Sequence, residues 1–133
     1  MPHVTIEYSA NVAEHHDIDG LVAAVHAEAL GHALVAPDAL RTRAAPRAAF
    51  RVADGHPANA FVAIHVRIAP GRAHDDKRRL IEGLLAAAER YIESSDVPEQ
   101  PLAIAWSIEL TELDPELRIN HNRVRDRMQE HPT

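Results

Sequence analysis

Apolar and polar residues alternate from the start of the chain: Val4, Ile6 and Tyr8 against His3, Thr5 and Glu7. Period two puts each set on one face of a strand, so this segment predicts a strand with one buried face. Leu21, Val22, Val25, Ala29, Leu30 and Ala33 then recur at helical spacing, predicting a helix that opens at Asp17 and Asp19 and runs to about Leu34, before Pro37. Ala60, Val62, Ile64, Val66 and Ile68 alternate again as a long strand, closed by Pro70-Gly71. From Asp75 onward Leu80, Ile81, Leu84, Leu85, Ala88, Tyr91 and Ile92 define a second amphipathic helix, and Leu102, Ile104, Trp106, Ile108 and Leu110 define a last strand. Residues 40–45 and 48–53 predict two short strands interrupted at Pro46, with Asp54-Gly55 as a turn.

The order is therefore strand, helix, strand, a further short strand, then strand, helix, strand. Parallel strands joined by a helix take a right-handed crossover, so two such units side by side give an α+β fold: a four-stranded mixed sheet with two helices on one face. The other face is expected to be bare and apolar, which points to assembly with other copies. Residues 1–133 form one expected domain, and residues 114–133, with little periodicity, form an extension expected to wrap over a neighbour or fray.

Composition narrows the possible partners. Fourteen Lys and Arg against twenty Asp and Glu give a net charge of −6, which argues against nucleic acid, since phosphate binding needs a cationic face. Membrane binding is not expected either, because no apolar run approaches the roughly 20 residues of a spanning helix and the start lacks the pattern of a signal peptide. The absence of cysteine fits a reducing cytoplasm. Aromatic residues are scarce, with two Phe, two Tyr and one Trp, so association would add buried area that a monomer lacks.

Candidate chemistry begins at Pro2. Removing Met1 leaves a secondary amine at the head of a strand, and in a dry pocket near cations such an amine becomes a usable general base. Arg41 and Arg43 share a strand face by period-two spacing, and Arg72 sits in a glycine turn just before a helix. A guanidinium stays charged and can grip a carboxylate with two parallel hydrogen bonds. Ten histidines are present, including the His15-His16 pair, but no ligand set of a recognisable metal type accompanies them, so no metal site is expected. Trp106, on an alternating strand, is expected in the core or an interface; Asn11 and His121 stand between ligand contact and subunit contact.

The runs Met1-Pro2-His3-Val4-Thr5-Ile6-Glu7-Tyr8-Ser9-Ala10-Asn11, Leu40-Arg41-Thr42-Arg43, Ala53-Asp54-Gly55, Pro70-Gly71-Arg72 and Ile119-Asn120-His121-Asn122 together resemble the 5-carboxymethyl-2-hydroxymuconate isomerase family of the tautomerase superfamily. The resemblance implies a homotrimer of β-α-β repeats that works on a small carboxylated enol or dienol without metal or cofactor, in the breakdown of homoprotocatechuate. It also implies Pro2 as catalytic base and Arg41 and Arg72 as catalytic residues that bind and polarise the substrate, with Arg43 and His3 as substrate-binding candidates. The segment Ala44-Ala45-Pro46-Arg47 departs from the family, whose members tend to be bulkier there. Two other readings stay open: a tautomerase of phenylpyruvate or another small enol, and a catalytically silent trimeric scaffold.

Overall fold

A computed structural model of the protein describes residues 2–95, 99 and 101–131. Met1, whose removal is expected to free the Pro2 amine, and the last two positions of the tail lie outside them. The first alternating run is β1 (His3–Ser9), followed by the single turn α1 (Val12–His15) and by α2 (Ile18–Leu30). Then come β2 (Arg41–Arg47), β3 (Asn59–Ile68), α3 (His74–Ser94) and β4 (Ala103–Glu112). A 3-10 turn at Pro115–Leu117 and a last helix, α4 (Arg123–Glu130), follow.

The sheet runs β2-β1-β3-β4, with β1 parallel to β2, β3 parallel to β4, and β1 antiparallel to β3. Two β-α-β layers therefore meet head to tail at the sheet centre. Val4 and Ile6 of β1 and Val62, Ile64 and Val66 of β3 are buried against Leu21 and Val25 of α2 and Leu80 and Leu84 of α3. Each such side chain contributes about 1.5–3 kcal/mol by leaving water. The two helices are tied where α3 ends: the Tyr91 hydroxyl donates to the Asp17 carbonyl at 2.8 Å, across Gly20. A Cβ on Gly20 would lie 2.1 Å from that hydroxyl, so the close approach requires glycine.

Several local expectations are corrected. α2 ends at Leu30 rather than near Leu34, because Gly31 tightens the last turn through its N–H to the Glu28 carbonyl. β2 continues through Pro46, which pairs with Tyr8: β2 is an edge strand, where a residue without an N–H can be accommodated. Residues 48–53 form no strand, and the chain turns there with Ala53 at φ 51° and Gly55 at φ 81°. In the described part of the tail, Asn122 caps α4 through its side-chain oxygen, which accepts from the Val124 N–H at 3.0 Å.

The uncovered sheet face is polar, against expectation. It carries His3, Thr5 and Glu7 from β1, Ala63, His65 and Arg67 from β3, and Ser107, Glu109 and Thr111 from β4. The larger apolar set of each strand faces the helices, and on the open face β3 also carries Phe61, whose ring centroid lies 6.5 Å from that of Phe50.

Candidate active site

The entering end of β1 gathers the chain's distinctive chemistry. Pro2 is buried, and its carbonyl accepts the Arg41 N–H at 3.2 Å, so the β1–β2 ladder begins at this residue. In register, His3 lies beside Arg41 on one side and Arg67 on the other. Between Arg41 and Arg43, Thr42 faces the helices, its hydroxyl 2.8 Å from Nδ1 of His26 on α2. That bond fixes the strand whose opposite face displays the two arginines.

All three guanidiniums act on His3. Arg43 Nη1 lies 3.2 Å from its Nδ1 and Arg41 Nη1 3.5 Å from its Nε2. Burial, then the charges of Arg67, Arg43 and Arg41, lower the His3 pKa to about 4, so the imidazole is neutral near pH 7. A neutral imidazole accepts at one nitrogen and donates at the other, whereas a guanidinium only donates. One contact is therefore a hydrogen bond, which the shorter distance assigns to Arg43. The other sets an N–H of His3 against an N–H of Arg41, a pair that an incoming carboxylate oxygen could accept from together.

Arg47 is satisfied within the protein, with Nε 2.8 Å from Oε2 of Glu7. Arg41, Arg43, Arg67 and Arg72 differ: none is paired with a carboxylate among the described residues. In a chain of net charge −6, four such arginines at one end of the sheet make a cationic mouth.

The structure brings His3, Arg41 and Arg43 together, next to Pro2. Arg72 is at the same end of the sheet, since β3 runs antiparallel to β1, but it is exposed on the turn after Gly71 and makes no hydrogen bond to the cluster among the described residues. Two neighbours were not singled out by sequence reasoning. Arg67 joins through the β1–β3 register, which periodicity does not give. Asn120 joins through the tail, its Oδ1 accepting from Arg41 Nη2 at 3.0 Å, and its only sequence signal is the Asn-His-Asn run.

Asn11 lies at the other end of β1, where its Nδ2 donates to the Asn59 carbonyl at 2.9 Å, so it braces the start of β3. Trp106 is half-buried on the helix side of β4 near His16, Ile92 and Leu102, away from Pro2. A concavity of about 510 Å³ on the uncovered face includes Arg67 together with Thr5, Glu7, His65, Ser107 and Glu109. A larger one, of about 830 Å³, lies between α2 and α3 around Glu28, Arg90 and Tyr91 and contains none of these site residues.

Known structures share this architecture. A 5-carboxymethyl-2-hydroxymuconate delta-isomerase superimposes with a TM-score of 0.85 at 18% identity, over 100% of this chain and 96% of that one. A 5-carboxymethyl-2-hydroxymuconate isomerase from Deinococcus radiodurans R1 gives 0.82 at 23% identity, over 95% and 92%. A fused 4-OT described as a symmetric trimer gives 0.56 at 15% identity, over 83% and 85%. At these identities the likeness is one of fold. No curated protein matches the chain in sequence. The family model of 5-carboxymethyl-2-hydroxymuconate isomerase, however, matches residues 2–128, from the buried proline through most of α4, and the chain therefore belongs to that family of isomerases.

Proposed function

We propose that the protein isomerises 5-carboxymethyl-2-hydroxymuconate or a closely similar carboxylated dienol, in cytoplasmic breakdown of homoprotocatechuate, with the amine of a terminal Pro2 as the base. The observation that carries this reading is the set of unpaired guanidiniums around a neutral His3 beside a buried Pro2. The substrate's name specifies three carboxylates, a load that suits Arg41, Arg43 and Arg67 with Arg72 at the rim.

The proton balance is simple. Pro2 nitrogen takes the proton from the dienol hydroxyl, the double bonds shift along the conjugated chain, and the same nitrogen returns the proton to carbon. One O–H breaks and one C–H forms. Burial and neighbouring guanidiniums, which hold His3 neutral, act on an adjacent amine in the same direction and leave more of it unprotonated near pH 7. Negative charge that grows on the substrate oxygen during transfer is met by donors already in place, of which Arg41 is the leading candidate. Assembly as a homotrimer fits the open cationic mouth, which neighbouring copies would wall in, and the exposed Ile119 next to Asn120.

The test pairs intact mass with an ultraviolet assay of dienol ketonisation on one preparation. Protein that begins at Pro2 is expected to turn over, and protein with a residue left in front of Pro2 is expected to be inactive, because an acylated nitrogen has no basic lone pair. Pro2→Ala retains an amine but loses its fixed position, so its rate should fall by about 10²–10⁴ with the fold intact. Full activity in the extended form overturns the mechanism.

A further inference from the structure

Arg41 is a long side chain at an exposed strand end, and such a group binds a carboxylate well only when it is held ready. The described tail supplies a hold. Asn120 Oδ1 accepts from Arg41 Nη2 at 3.0 Å, across 79 positions of sequence. The tail is itself pinned just upstream of β2: Asn122 Nδ2 donates to the Asp38 carbonyl at 2.8 Å, and Arg125 Nε lies 2.6 Å from Asp38 Oδ2. The Asn122 side-chain oxygen meanwhile caps α4, so one amide fixes both the start of that helix and the loop that leads to Arg41.

We infer that Asn120 is a positioning residue, held by a C-terminal strap on Asp38, which aims the Arg41 guanidinium for a substrate carboxylate. The inference rests on the proposed role of Arg41. Neutrality is the point of the asparagine. A carboxylate in its place would hold the guanidinium as well, but would also cancel the charge that the substrate needs.

Steady-state kinetics on the full-length protein beginning at Pro2, with a carboxylated dienol as substrate, test this. Asn120→Ala should lower kcat/KM by about 10- to 100-fold, since loss of orientation alone has effects of that size. The same change should add nothing in an Arg41→Ala background, because the two residues act as one unit. Asn120→Asp should retain the hold yet raise KM more than it lowers kcat. Arg125→Ala, which cuts the strap without touching Arg41, should lower kcat/KM less and likewise lose its effect when Arg41 is absent. Thermal midpoint and native mass should stay at the parent's values in all of them. A silent Asn120→Ala beside a damaged Arg41→Ala overturns the inference alone, as does an Asn120→Ala loss that persists undiminished without Arg41. An Arg41→Ala protein with the parent's turnover overturns the site reading and this inference with it.

Discussion

Protonating His3 would place a fourth positive charge among three. Burial first, and then that repulsion, lower its pKa to about 4, and the shift sets a pH window. Between about 4 and the ordinary 6.5 the unfolded chain binds a proton that the folded chain refuses, so stability rises with pH across this range and is lost as acid is added. The thermal midpoint of the parent is expected to fall more than that of His3→Gln on going from pH 7 to pH 4. Burial and His15 also lower the His16 pKa, leaving a slope common to both proteins. An NMR titration of His3 with a midpoint near 6.5 would refute the electrostatic account. A bound polycarboxylate should move that midpoint upward, since it offsets the guanidiniums. The sequence made Pro2, Arg41 and Arg43 visible because motif and strand parity suffice to place them. Arg67 stayed hidden, since parity says which face it takes and only the pairing of β1 with β3 says that it faces His3.

Elements were legible wherever one period dominated. β1, β3, β4 and the two long helices each carry several turns or pleats of repeated pattern, whereas α1 is only four residues long and α4 has no buried residue to betray it. Pro46 made β2 look broken because the strand's place at the sheet edge depends on the order of all four strands. Contact between α2 and α3 gives a test of the packing. In an open helix Gly20→Ala would stabilise by about 1 kcal/mol through propensity. Here the new methyl collides with the Tyr91 ring, whose displacement costs its hydrogen bond to Asp17, about 1 kcal/mol, and packing strain of about 1–3 kcal/mol. The net expectation is destabilisation by about 1–3 kcal/mol in a denaturant melt. In a Tyr91→Ala background the sign should reverse, and a destabilising Gly20→Ala there would show that something other than Tyr91 crowds the position.

At the scale of the whole molecule, the polar uncovered face changes how copies are expected to associate. Glu7 and Glu109 stand on the same surface as Arg43 and Arg67, so the contact between subunits should depend on charge matching as well as on burial, and added salt should weaken it. Light scattering should give about three times the 14.7 kDa chain mass, and Ala63→Arg, at the middle of that face, should reduce it. Active monomer at micromolar concentration would contradict the trimer. The head-to-tail pairing of two β-α-β layers has a consequence for stoichiometry. The layers match in architecture, with His3 in register with Arg41 in one and Asn59 with Ala103 in the other, but only the first begins at the head of the chain. An amino terminus occurs once per polypeptide. With Pro2 as the proposed base, duplicating the layer doubles the sheet without doubling the chemistry, and a reagent that alkylates the proline nitrogen should reach its end point at one equivalent per chain, however many repeats the chain contains.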